Sequence, residues 1–145
     1  MGRQTWILHT SIYDDEEGKT VTNPNEEFKT EMIKKYNIYE YCWIFGKYGD
    51  ITFRKSPYSD KRSVYGEVED HVKVLLETAQ KYNRKICGTL SYYDDQSGGA
   101  YSGIIYIAKN YTAMHHEFNT DINVETLDEL GNSFNYHKTK KITLE

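Results

Sequence analysis

No apolar run in this chain approaches the ~20 residues that a helix needs to cross a bilayer, so no transmembrane helix is expected. Cysteine is scarce: Cys42 and Cys87 are the only two, each inside an apolar, strand-like run. That setting suits reduced, buried side chains. A disulfide between them requires that their strands be neighbours. Residues 1–14 lack a basic segment followed by an apolar one, so no export signal is expected and the setting read from the sequence is cytoplasmic. There is no Cys-x-x-Cys, His-Glu-x-x-His or calcium-loop spacing, so no metal is expected. Gly98-Gly99-Ala100 lacks the lysine of a P-loop and does not open a helix, so no nucleotide cofactor is expected there. An excess of basic charge is also missing. A net charge of −4 argues against general nucleic-acid binding, which leans on a positive field.

What the chain does have is tyrosine. Fourteen of its 145 residues are Tyr, and aromatics make up 14% of a sequence that is only 38% hydrophobic. Tyrosine buries a large area and keeps a polar tip, so the core is larger than the hydrophobic fraction suggests. The length suits one domain, residues 1–145, with no repeat, linker or low-complexity tract.

Residues 64–110 organise the rest. Val68, Val72, Leu75, Leu76, Ala79 and Tyr82 follow helical spacing, with Glu67, Glu69, Asp70, Lys73 and Glu77 between them facing water. Asn83 suits the left-handed residue that ends a helix. Ile86, Gly88, Leu90 and Tyr92 then alternate as a strand. Residues 94–99 read as a turn, and a second strand runs from Tyr101 to Lys109.

Upstream, residues 4–13 read as a strand and residues 14–19 as an exposed charged turn. Asn23 and Pro24 suit a helix start, with Phe28, Met32, Ile33 and Tyr36 as its apolar stripe. Residues 38–45, the most apolar run, predict a central strand buried on both faces. Residues 51–55 return as its hairpin partner. Residues 120–130 have the spacing of a short helix, and the chain from about 111 otherwise keeps no clear period. The expected fold is α+β: a single antiparallel sheet with two helices on one face, ferredoxin-like βαββαβ, with the strand from Tyr101 as an extra edge and an irregular arm from about 111.

The run from the long helix into Gly88-Thr89-Leu90-Ser91-Tyr92, then acidic residues, then Gly103-Ile104-Ile105-Tyr106-Ile107, resembles a pattern in small uncharacterised bacterial and phage proteins. It covers about a third of the chain. The resemblance implies an α+β fold and a phage or prophage setting, and it carries no catalytic residues with it.

Candidate chemistry is sparse. His9-Thr10-Ser11 looks like half of a phosphoesterase motif, in which an imidazole relays a proton beside a phosphate-holding hydroxyl. The second His-x-Thr/Ser that such chemistry needs is missing. His115-His116-Glu117 offers two imidazoles and a carboxylate, but neighbours on a strand point to opposite faces. Asp94-Asp95 and residues 14–17 read more simply as solvated turns than as a general base. The tyrosines are more informative. Tyr39 and Tyr41 share one strand face, and Tyr92, Tyr101 and Tyr106 sit on the hairpin. They either line the core or form a contact surface. Base stacking on such a sheet requires a basic rim, whereas Glu40, Asp94 and Asp95 are the neighbours.

The expectation is therefore a non-enzymatic interaction module, a phage-derived modulator binding a host protein through Tyr39, Tyr41, Tyr92, Tyr101 and Tyr106. The alternative is a binder or phosphoesterase for a phosphate-containing small molecule such as a nucleotide, using His9 and Thr10 with His115 or His116. An unpaired edge strand would also allow homodimerisation.

Overall fold

The computed structural model describes residues 4–16, 19–20, 25–36, 43–53, 63–64, 68–96, 99–119 and 137–144. In chain order these form β1 (Gln4–Glu16), β2 (Lys19–Thr20), α1 (Glu26–Lys35), β3 (Trp43–Phe45), β4 (Asp50–Phe53), β5 (Ser63–Val64), α2 (Val68–Lys81), β6 (Ile86–Gln96), β7 (Gly99–Ala108), β8 (Thr112–Asn119) and β9 (His137–Ile142). The sheet runs β3-β4-β1-β6-β7-β8-β9, with β2 and β5 each paired to β1. Every pairing is antiparallel.

This order corrects the ferredoxin-like expectation. The described chain is mostly a seven-strand antiparallel sheet with two helices, and four of those strands, β6 to β9, follow one another as neighbours. The strand holding Tyr101 is no edge, because β7 lies between β6 and β8. Beyond 111 the described residues form β8 and β9, which pair over six residues from Ala113↔Ile142 to Phe118↔His137. The helix expected over 120–130 lies outside the described residues.

Other boundaries move for local reasons. Asp94 and Asp95 belong to β6, since the hairpin register continues to Gln96↔Gly99. Residues 14–16 continue β1 rather than turning. Asp14 is buried there, its Oδ2 accepting from Arg84 Nε at 2.9 Å, and its backbone N–H donates to the Gly49 carbonyl. Burying a carboxylate requires such a paired, hydrogen-bonded setting. Residues 38–42 lie outside the described residues. The strand after them, β3, ends the described sheet order rather than centring it.

The long helix forms where its periodicity places it. Val68, Val72, Leu75, Leu76 and Ala79 are buried, and Asn83 ends the helix with φ 52°. Asn tolerates that left-handed conformation with little strain. In α1 the cap is Asn25, not Asn23, which lies outside the described residues. The Asn25 side chain accepts from Phe28 N–H at 2.9 Å. Phe28 and Met32 are buried, while Ile33, expected in the same stripe, is exposed.

The two helices are tied by a polar seam. Glu31 accepts from Lys81 at 2.5 Å and from the Tyr82 hydroxyl at 2.8 Å. Lys35 donates to Thr78 Oγ1 at 2.7 Å, and Thr78 in turn donates to the Val74 carbonyl. Buried side chains of both helices join one apolar cluster with Ile12, Ile51, Leu90, Ile105 and Ile142 from the sheet. Gly88 lets β1 and β6 approach: it has φ +143°, and a Cβ there would fall 2.0 Å from the Ser11 carbonyl oxygen.

Candidate functional site

Strand alternation divides the sheet residues into two sets. Ile12, Leu90, Tyr92, Gly103, Ile105, Ile107 and Ala113 are buried on the core side. His9, Ser11, Tyr13, Ile104, Tyr106, Met114 and His116 take the alternate positions and are exposed or half-buried. Each set carries one arrangement worth weighing.

On the core side, a polar network replaces apolar packing at one end. Tyr92 is 2% exposed. Its hydroxyl donates to Glu117 Oε2 at 2.8 Å and lies 2.5 Å from His115 Nε2. His115 Nδ1 lies 2.8 Å from Glu69 Oε2, and Lys140 Nζ donates to Glu69 Oε1 at 2.6 Å. The network therefore joins α2, β6, β8 and β9. Gly103 makes room for it, since a Cβ there would fall 2.3 Å from the Tyr92 ring. Partial burial pushes the Glu69 carboxyl upward, and the hydrogen bonds from Lys140 and His115 outweigh that, so its pKa ends below the ordinary value. A carboxylate, an imidazole and a phenol in series have the parts of an acid–base relay. The Tyr92 phenol is buried, and the arrangement ties α2, β6, β8 and β9 together.

This tie corrects the expectation that Glu69 faces water: it is half-buried under Lys140 and His115. A second pair joins buried Tyr36 and half-buried His71, hydroxyl to Nδ1 at 2.8 Å, with the imidazole 5.2 Å from the Phe53 ring.

On the outer side, β7 and β8 carry a strip of low charge. Tyr106 is 49% exposed and sits directly opposite Met114, itself 36% exposed. The Tyr106 ring meets His116 edge-on with centroids 5.8 Å apart. Ile104 and Phe118, both half-buried, extend the strip. Tyr13 and Leu8 are also exposed, Leu8 at the irregularity where β1 and β6 shift register.

The phosphate-site residues do not meet. Thr10 has its hydroxyl on the Phe53 carbonyl at 3.4 Å, on the core side, while His9 is exposed on the other. His115 is in the core network. His116 shares a face with His9, but three strand spacings separate them, roughly 14 Å at about 4.8 Å each. No group of three or more metal-ligating side chains comes together among the described residues.

The tyrosines divide as well. Tyr92 is core and Tyr106 is surface. Tyr101 lies on β7 opposite Asn119 in the register. Tyr39 and Tyr41 lie outside the described residues. Cys87 is a half-buried thiol whose pKa burial raises, and Cys42 lies outside the described residues.

Sequence inspection missed Glu69 and Glu117 as partners of His115 and Tyr92. Glu69 and His115 are 46 residues apart, and no local spacing marks that pair. Among the described residues, no helix is long and apolar enough to cross a membrane. No protein-family model matches the chain, and neither does any curated protein or solved structure.

Proposed function

We propose that the chain is a protein-interaction module that uses the outer face of β7 and β8. One observation carries this reading: Tyr106 and Met114 stand side by side, exposed, with His116 against the tyrosine ring and no charged side chain between them. Protein contacts favour such a centre, aromatic and Met-rich and poor in charge. Neutral Ser11, Thr89 and Ser91 on the adjoining strands supply hydrogen-bonding groups, and Lys141 stands at the rim opposite Met114. Stacked bases would need several cations around the ring. The partner we infer is a host protein met by a phage-encoded chain, and support for that origin comes from the sequence resemblance alone.

The test compares affinity capture by the full chain with capture by a Tyr106→Ser/Met114→Ser variant. Truncating a central aromatic costs about 2 kcal/mol, roughly 30-fold in affinity. The expected result is a partner retained by the wild type and weakened at least tenfold by the variant. Equal retention by both would overturn the assignment of this face.

A further inference from the structure

Two strands end the described sheet order, and they differ in what they offer. At one end β3 has three residues, whereas at the other β9 has six, all in register with β8. The pairing from Ala113↔Ile142 to Phe118↔His137 runs without a shift, and the strand contains no proline. Among the described residues, β8 is the only strand that pairs with it. Every second residue of such a strand turns its backbone N–H and C=O away from the sheet, where an extended chain can meet them. Proteins commonly blunt an edge with a bulge, a proline or a very short strand, and β9 uses none of these. Ile142 is 1% exposed and Leu144 packs against the core, so the edge is preformed rather than ordered on binding.

What β9 carries is charge of one sign. Three of its six residues are lysine and none is acidic, in a chain whose net charge is −4. Alternation sends Lys140 and Lys141 to opposite faces. Lys140 is on the core side, its ammonium bound to Glu69 at 2.6 Å. Lys141 is on the outer side, exposed, and makes no ion pair among the described residues. It closes the row Ser11, Thr89, Tyr106, Met114, Lys141 across the sheet. The next place in that row belongs to a strand added beyond β9. Opposite charges directly across a strand pair attract and like charges repel, so that place favours a carboxylate.

We propose that β9 is a docking edge for an acidic, extended segment of a protein partner, which joins the sheet as a further strand with a carboxylate against Lys141. This assignment rests on the chain being a protein-interaction module, and it names the partner's chemistry. Main-chain hydrogen bonds supply the affinity and the lysines select the charge. Met114 lies one strand in from this edge, about 4.8 Å away, so one partner reaches both the edge and the outer strip.

The experiment follows amide hydrogen exchange by NMR in the full chain, labelled with ¹⁵N, with three end-blocked peptides of equal length. One alternates glutamate with valine, one lysine with valine, and one glutamate with proline. The Glu–Val peptide should slow exchange at alternate amides of β9 at concentrations up to about 1 mM. The Lys–Val peptide should bind roughly tenfold more weakly, and Lys141→Glu should weaken the Glu–Val peptide by about the same factor. The Glu–Pro peptide carries the same charge but cannot form the ladder, so it should leave the amides unprotected. No slowing by the Glu–Val peptide would overturn the proposal, as would equal slowing by either control or unchanged binding to Lys141→Glu. Amides of β9 that are all protected in the free chain would also overturn it, because the edge would already be covered, by this chain or by a second copy. In Tyr106→Ser/Met114→Ser the Glu–Val peptide should still slow the β9 amides. Equal partner capture by that variant and the wild type, with this slowing kept, would remove the outer face and leave the edge. Loss of capture by the variant, with no slowing of β9 amides in either protein, would remove the edge and leave the outer face.

Discussion

At Gly103, the space a side chain would fill is occupied by the Tyr92 ring, 2.3 Å from where a Cβ would stand. Gly103→Ala should therefore push the ring off its partners and destabilise the chain by about 1–3 kcal/mol, as overpacking does. Urea denaturation measures this, and an unchanged midpoint would show that the ring does not lie over β7. Glu31 makes a different prediction. Hydrogen bonds from Lys81 and then Tyr82 lower its pKa from 4.5 to about 2. A carboxyl depressed in the folded state stabilises fully above its ordinary value and loses that contribution as pH falls through the folded one. Between about 4.5 and about 2 the helix seam should weaken. Glu31→Gln should flatten the acid side of the unfolding profile over that window. The pair is at the surface, so salt should diminish the effect. An identical acid profile in the variant would remove Glu31 from the seam.

At the scale of elements, β8 and β9 were illegible in the sequence. A half-buried strand announces itself by alternating apolar residues. In β8 the core-side positions are Ala113, His115 and Glu117, two of them polar because they serve Tyr92 and Glu69. The outward ones include Met114 and Phe118, so the usual pattern is inverted. In β9, Ile142 is the one apolar residue of six. It is 1% exposed and pairs with Ala113. Ile142→Ala should cost about 2–5 kcal/mol, the range for emptying a buried aliphatic site. Chemical denaturation checks it, and no loss would mean that β9 lies outside the cooperative core. By contrast, α2 was legible from Val68 to Asn83, because its apolar stripe alone determines which face is buried.

For the whole molecule, the outer strip and the core network lie on opposite sides of the same strands, so they should separate experimentally. Tyr106→Ser/Met114→Ser removes one cross-strand pair at the surface and should change stability by at most about 1 kcal/mol. Calorimetry of the variant tests this. A larger loss would mean that the strip is covered in the native protein and is no contact surface.

Local pattern was enough to place α2 and the β6–β7 hairpin, because each depends on neighbours within a few residues. Which strands lie side by side, which tyrosine is buried and which is displayed, and the meeting of His115 with Glu69 were decided only when the chain closed into a sheet. Hydrogen-bond registry between distant strands sets those distances, and a linear spacing carries no record of it.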